Sequence, residues 1–134
     1  MVIDTMVFAY ALLGVPAFRD HSLAVLETAI EILVPDSFRA EFVNVVWQWV
    51  QHNALPLELG IDVLQDADAL VTHATTSSLL WERALVLAAE AQHPAYDTLF
   101  VALAEFADTL LVTYDTKLQQ AFPDRVISPA TFLT

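Results

Sequence analysis

Four acidic residues stand where carboxylates can do chemistry, because each is next to the end of a predicted strand or in the first turns of a predicted helix. Asp4 follows the apolar run MVI, and Asp115 lies just past LLVT. Glu41 and Asp97 each lie in the first turns of a predicted helix. Carboxylates about 4 Å apart repel each other by roughly 4 kcal/mol per pair, so such a cluster must take up protons or hold a cation.

Three of these acids have an ordinary structural explanation as well. Asp4 and Asp115 are equally suited to capping the helix that follows each of them. Glu41 lies on a narrow polar stripe that a solvated helix face would explain equally well, and this stripe consists of Ser37, Glu41, Asn44 and Gln48.

Asp97 is harder to explain by solvation, because its neighbours one and two turns on are the apolar residues Phe100, Val101 and Ala104. We therefore expect its side chain to point toward the core side of the helix. Burial of an unpaired charge is costly, so a cation or a hydrogen-bond donor is implied. An oxygen-only cluster favours magnesium or manganese over zinc.

The elements that would position these acids alternate along the chain. Short apolar runs predict strands at residues 1–4, ILVP, LLVT and RVIS, and VTHATT is a further candidate strand. Helices are predicted over about residues 6–13, 20–32 and 94–107, and over TKLQQAF. Another helix is capped by Asp36 or Ser37 and ends near QHNALP, and the next one begins at Pro56. A further helix is capped by Ser77 or Ser78 and ends at about residue 92. This alternation predicts an α/β domain with a parallel sheet covered on both faces, whose ligands bind beyond the carboxyl ends of the strands.

Composition bounds the class of protein. The length of 134 residues predicts a single domain over residues 1–134, and the hydrophobic fraction of 57% favours self-association. No apolar run reaches the roughly 18 residues of a spanning helix, and no basic region precedes the first apolar run, so we expect a cytoplasmic protein. Cysteine is absent, which excludes disulfides and thiolate chemistry. The net charge of −12 opposes binding of nucleic acid and favours a cationic partner.

Four segments in order resemble one family. VIDTMVFAYALL, VPDSFRAEFVNVVWQWV, HPAYDTLFVALAE and LLVTYDTKL are similar to the PIN domain, in particular to the VapC-like toxin ribonucleases of prokaryotic toxin–antitoxin pairs. The resemblance covers nearly the whole chain and implies a three-layer αβα sandwich. It implies a metal-dependent endoribonuclease in which Asp4, Glu41, Asp97 and Asp115 bind one or two Mg²⁺ or Mn²⁺ ions that activate a water molecule.

The resemblance also implies supporting residues and partners. Asn44 and Thr113 occupy polar positions next to the family's acids. Lys117 resembles a basic residue after the family's last acid, although a solvated helix position explains it as well. Met6 departs from the pattern, since the family usually has a small polar residue there. If the chain is a toxin, a small antitoxin with a basic segment should cover its apolar and acidic surfaces, and a homodimer is expected.

Several other residues admit two explanations. Arg39 is able to contact a substrate phosphate, although a surface ion pair explains it as well. His93 precedes Asp97 by one helical turn and either supports that acid or caps the helix. Trp47 and Trp49 cannot share a helix face, so one is expected in the core and the other at an interface with a partner chain.

Two further functions compete with the ribonuclease. The first is a PIN-like module that binds RNA or a protein without cutting, which Met6 and the negative charge favour. The second is a phosphatase with an aspartyl nucleophile in VIDT, but that mechanism needs another acid at the position of Met6. A phospho-accepting receiver domain would need an acidic pair near the first strand and a lysine ending a late strand, and neither is present.

Overall fold

Five short strands form one sheet in which every neighbouring pair is parallel. The structure is a computed structural model that describes residues 1–134. The strands are β1 (Val2–Ile3), β2 (Leu33–Pro35), β3 (His73–Thr75), β4 (Leu111–Val112) and β5 (Val126–Ile127), and their order across the sheet is β3-β2-β1-β4-β5. All five predicted strands are therefore present.

Eight helices flank the sheet and connect its parallel strands. They are α1 (Thr5–Leu12), α2 (Arg19–Thr28), α3 (Ser37–His52), α4 (Leu57–Leu70), α5 (Trp81–Ala91), α6 (Ala95–Phe106), α7 (Thr116–Ala121) and α8 (Pro129–Phe132), with a 3₁₀ turn at Ser77–Leu79. The predicted α/β class with a central parallel sheet is confirmed. No helix combines the length and the apolar character needed to cross a membrane.

Four of the five strands consist of apolar residues because helices bury both faces of the sheet, whereas the edge strand β3 begins with the exposed His73. Val2, Ile3, Val34, Leu111 and Val112 are fully buried. They join the phenylalanines of the flanking helices in one core cluster, whose largest side chains are Phe8, Phe38, Phe42 and Phe100. The apolar composition that distinguishes this sequence is thus explained in large part by a two-sided sheet.

The strand order reverses between β1 and β4, and this switch point determines where the site lies. From β1 the chain builds outward to β2 and β3, and then it returns to the other side of β1 with β4 and β5. In open α/β sheets a crevice forms beyond the carboxyl ends of the strands at such a point. The register pairs Ile3 with Val112, so the next residues, Asp4 and Thr113, emerge side by side.

One helix is shorter than predicted. The pattern extended it from residue 20 to residue 32, but α2 ends at Thr28. Ile30 is 99% exposed, and Leu33 belongs to β2, where it pairs with Val2 and His73. The helical spacing of these apolar residues was coincidental, because the chain needs residues 29–32 to turn from the helix back into the sheet.

The predicted helix caps also differ in part. Asp36 precedes α3 but does not cap it with its side chain, which accepts hydrogen bonds from the backbone N–H and the hydroxyl of Ser77. Neither Ser77 nor Ser78 caps α5, because a 3₁₀ turn and Leu80 separate them from the helix. The short helix α8 was not predicted, although Ser128 caps it by accepting a hydrogen bond from the Thr131 N–H.

Candidate active site

The four acids singled out in the sequence line one cavity of about 470 Å³ at the switch point of the sheet. They come from four separate parts of the chain: Asp4 follows β1, Glu41 lies on α3, Asp97 lies on α6, and Asp115 precedes α7. The remaining lining residues are Thr5, Met6, Tyr10, Asn44, Val45 and Tyr114. No basic residue is among them, so the cavity carries concentrated negative charge.

Asp4 is held by two donors. Its Oδ1 accepts a hydrogen bond of 2.8 Å from the Thr5 N–H, which makes it the cap of α1. Its Oδ2 accepts a bond of 2.6 Å from the hydroxyl of Thr113. The capping explanation and the site explanation therefore both apply to this residue. The carboxylate is therefore fixed in orientation by the first residue of α1 and by the residue that follows β4.

Thr113 links two of the acids. Besides donating to Asp4, its hydroxyl oxygen accepts a hydrogen bond of 3.0 Å from the Asp115 N–H. Asp115 in turn caps α7, since its Oδ1 accepts from the N–H groups of Lys117 and Leu118. Thr113 is fully buried, so its hydroxyl must be satisfied within the protein, and these contacts satisfy it.

Glu41 has one oxygen bonded and one oxygen without a partner. Its Oε2 accepts a hydrogen bond of 2.8 Å from the hydroxyl of Thr5. Its Oε1 is shielded from solvent and has no hydrogen-bond partner in the protein. A buried carboxylate oxygen without a donor is unfavourable, which indicates that a proton or a cation belongs there.

The pKa values of two acids reflect this crowding. Burial raises the pKa of Asp4 to about 6, the hydrogen bond from Thr113 opposes this rise, and the charge of Asp97 adds to it. Burial likewise raises the pKa of Glu41 to about 7, against the hydrogen bond from Thr5 and with further contributions from the charges of Asp4 and Asp97. The cluster thus retains protons near neutral pH unless a cation replaces them.

Asp97 and Asp115 meet at a histidine that sequence reasoning left undecided. His93 Nε2 lies 2.9 Å from Asp97 Oδ2 and 3.4 Å from Asp115 Oδ2. The ligand atoms of these three residues all lie within 4.8 Å of one another, which makes a possible metal-binding cluster. The His93 side chain is only 10% exposed, so it is held in place between the two acids.

The sequence feature that pointed to His93 was its position four residues before Asp97. Residues at this spacing are neighbours on one face of a helix. His93 stands two residues before the first residue of α6, and the turn there brings its ring to Asp97. Its contact with Asp115 depends on β4 and could not be read from local spacing.

The expected burial of Asp97 needs correction. Its neighbours Phe100, Val101 and Ala104 are indeed buried, but the Asp97 side chain is 40% exposed and faces the cavity instead of the core. The reason is that Asp97 lies in the first turn of α6. The later turns of this helix side pack on the core, whereas the first turn borders the crevice at the end of the sheet.

The predicted supporting residues fall into two groups. Thr113 and Asn44 lie at the site, Asn44 as an exposed residue of the cavity wall. Arg39 is outside the cavity, and its guanidinium pairs with Asp68 Oδ1 at 2.7 Å. Lys117 is exposed on the first turn of α7. Met6 lines the cavity, and its neighbour Thr5 supplies the hydroxyl that holds Glu41.

A parallel α/β sheet with an acidic cavity at its switch point is a scaffold on which carboxylates are able to hold divalent ions for hydrolysis. The comparison with known families is more specific: the model of the PIN domain matches residues 1–122. The chain therefore belongs to the PIN domain family, whose members are generally nucleases that use divalent metals. No curated protein matches the chain.

Proposed function

We propose that this protein is a metal-dependent endoribonuclease that hydrolyses phosphodiester bonds of RNA in the cytoplasm. The main support is the convergence of Asp4, Glu41, Asp97 and Asp115 on one cavity, together with the buried Glu41 Oε1 that has no partner in the protein. Because charge repulsion makes such a cluster unfavourable by itself, a cation is its natural complement.

The donor set fits a divalent ion. Carboxylate oxygens are ligands for Mg²⁺ and Mn²⁺, and the unpartnered Glu41 Oε1 offers a free lone pair. His93 adds a ring nitrogen, which favours Mn²⁺ over Mg²⁺ because imidazole suits transition metals better. Its Nε2 lies 2.9 Å from Asp97 Oδ2, within hydrogen-bond distance, and 3.4 Å from Asp115 Oδ2, so the three side chains would be able to hold one ion together.

The residues of the chain act by holding these ligands in place. Thr113 and the Thr5 N–H fix Asp4, the Thr5 hydroxyl fixes Glu41, and α7 fixes Asp115 through its capping oxygen. A bound divalent ion supplies two effects, since it lowers the pKa of a water molecule and stabilises negative charge on the phosphate. No side chain needs to form a covalent bond to the substrate.

The test is a substitution of Asp97 by Asn, assayed for RNA cleavage with Mn²⁺. Loss of one carboxylate ligand should reduce the rate by about 100-fold or more. Asp66→Asn is the matched control, because Asp66 is an exposed acid of α4 outside the cavity, and it should cleave like the unmodified protein. Undiminished cleavage by Asp97→Asn would end this mechanism.

We further propose that the protein is a VapC-like toxin with an antitoxin partner. An apolar groove of about 730 Å³ between α3 and α4, near the exposed Trp47, offers a surface for a protein segment. The net charge of −12 favours a basic segment that reaches the carboxylates. Co-expression with the products of adjacent genes should yield a stable complex, and the absence of any complex would count against the toxin role.

A second candidate is a PIN-like module that binds without cutting. It is favoured by the net charge and by the pairing of Arg39 with Asp68, which leaves the acidic cavity without a basic wall. Calorimetric titration with Mn²⁺ separates the two functions. A cavity with no affinity for divalent ions would support the module and exclude the nuclease.

A further inference from the structure

Three aromatic rings form a continuous surface at the edge of the acidic cavity. Tyr10 of α1 and Phe18, just before α2, are stacked with their ring centroids 4.5 Å apart and an interplanar angle of 20°. Tyr114, between β4 and α7, meets both rings edge-on at 5.2 and 5.1 Å. Tyr10 and Tyr114 also line the cavity. We call Tyr10, Phe18 and Tyr114 the aromatic rim.

The aromatic rim is held rigid and yet remains accessible. The Tyr114 hydroxyl forms a hydrogen bond of 2.8 Å with the hydroxyl of buried Ser22 and donates one of 3.3 Å to the Phe18 carbonyl. Phe18 is nevertheless 38% exposed, and both tyrosines are only partly buried. A preformed aromatic surface loses little conformational entropy when a planar group stacks on it.

The basic residues not committed to close ion pairs are next to this site. Of the five basic residues, three are held at 2.7–3.1 Å by acids elsewhere: Arg39 by Asp68, Arg83 by Glu105 and Arg125 by Asp108. Arg19 has only a 3.5 Å contact with exposed Asp20, and Lys117 forms no ion pair. Arg19 directly follows Phe18, and Lys117 lies two residues after Asp115.

We propose that the aromatic rim binds a base of single-stranded RNA beside the cleavage site, with Arg19 contacting the adjoining phosphate. This inference rests on the proposed ribonuclease function and names its form of substrate. Stacking on aromatic rings does not depend on net charge, so it can supply affinity that a chain with charge −12 cannot draw from long-range attraction.

Single-stranded RNA is required by this arrangement. A base can lie against Phe18 only when it is free of its neighbours, whereas the bases of a duplex are stacked inside the helix and out of reach of the rim. Stacking contributes roughly tenfold or more in affinity per base, which is enough to make single strands the preferred ligand. Duplex RNA retains only the phosphate contacts.

The experiment measures the Kd of a short fluorescent single-stranded RNA by anisotropy, in the Asp97→Asn background so that the RNA stays intact. Phe18→Leu keeps an apolar side chain but removes the ring, and it should weaken binding by about tenfold. Phe18→Trp should retain affinity. An RNA whose bases are replaced by abasic sites should bind Phe18→Leu and the Phe18 protein equally, because stacking is then absent in both.

A salt titration tests the cation. Arg19→Gln should reduce the slope of log Kd against log salt by about 0.7, the value for one phosphate contact on a single strand. Arg83→Gln is the matched control, because Arg83 is paired with Glu105 away from the cavity, and it should leave the slope unchanged. Melting curves establish that each variant is folded.

Several outcomes would overturn the stacking site. The first is an equal Kd for the Phe18 protein and Phe18→Leu, and the second is a loss of affinity in Phe18→Leu that is as large for abasic RNA as for RNA with bases. The others are tighter binding of duplex than of single-stranded RNA, and absence of RNA binding at low salt. The nuclease proposal fails by a separate result, namely undiminished cleavage by Asp97→Asn. Ring-dependent binding of RNA together with that result would retain the stacking site and discard the metal mechanism.

Discussion

At the scale of single residues, the ionisation of Asp4 and Glu41 links stability to pH. Their folded-state pKa values of about 6 and about 7 lie above the ordinary values of about 3.9 and 4.3. The folded protein therefore binds these protons more tightly than the unfolded chain. The resulting stabilisation is fully present below about pH 4 and is lost as pH rises through 6 and 7.

Glu41→Gln should remove this pH-dependent penalty while its amide oxygen still accepts the bond from Thr5. In metal-free buffer at pH 8 we expect its Tm to exceed that of the unmodified protein by about 2 °C or more, with a smaller difference at pH 5. Glu82→Gln, an exposed acid of α5, is the control and should change neither value. A variant less stable at pH 8 than the unmodified protein would contradict the linkage.

We expect His93 to decide whether the site prefers Mn²⁺ or Mg²⁺. If its Nε2 is a ligand, His93→Ala should weaken Mn²⁺ binding by about 10- to 100-fold and Mg²⁺ binding by less, because Mg²⁺ prefers oxygen. Calorimetry with each ion measures both constants, and His73→Ala at an exposed strand position serves as the control. An equal loss for both ions would mean that His93 only positions Asp97 and Asp115.

At the scale of elements, α6 must be anchored for its first turn to present Asp97 to the cavity. Thr98, the next residue, is fully buried, and its hydroxyl donates a hydrogen bond of 2.7 Å to the Ala84 carbonyl on α5. This contact fixes the start of one helix against the other. The pair α5 and α6 thus acts as a support for one of the four acids.

Thr98→Val should test this anchor, because valine has a similar shape without the donor. We expect a loss of about 1 kcal/mol in the free energy of unfolding, measured by urea denaturation. Thr28→Val, at an exposed position of α2 without a side-chain hydrogen bond, should lose much less. Equal stability of the two variants would show that the hydroxyl does not anchor α6.

At the scale of the whole molecule, most of the exposed apolar residues lie on two surfaces. One lies on α5 and the start of α6, where Trp81, Leu85 and Tyr96 are 63%, 66% and 71% exposed. The other lies on α3 and α4 and includes Trp47, which is 53% exposed, whereas Trp49 is partly buried. Contiguous apolar surface of this kind is typical of contacts between chains.

We expect the α5 surface to form the predicted homodimer and the groove between α3 and α4 to remain free for the antitoxin. Leu85→Glu should shift the protein from dimer to monomer in sedimentation velocity, because it places a charge in an apolar contact. Leu57→Glu on α4, where Leu57 is 65% exposed, is the matched control and should stay dimeric. Dissociation by Leu57→Glu alone would reverse the assignment of the two surfaces.

Much of the fold was readable from local patterns. Four of the five strands are short apolar runs, and such runs alternating with helical patterns indicate a buried parallel sheet. Helix boundaries were less accurate, as the early end of α2 at Thr28 shows. The spacing of apolar residues does not show where the chain must leave a helix to reach the next strand. That point depends on the position of β2 next to β1.

The sequence by itself determined which acids stand at strand ends and helix starts, because those positions depend on residues close in the chain. Only the tertiary structure decided that Thr113 bonds to Asp4, that His93 meets Asp115, and that Arg39 pairs with Asp68 on α4. Each of these contacts joins segments distant in sequence. They depend on the strand order and on the pairing of Ile3 with Val112, which follow from packing between distant segments and which no local pattern encodes.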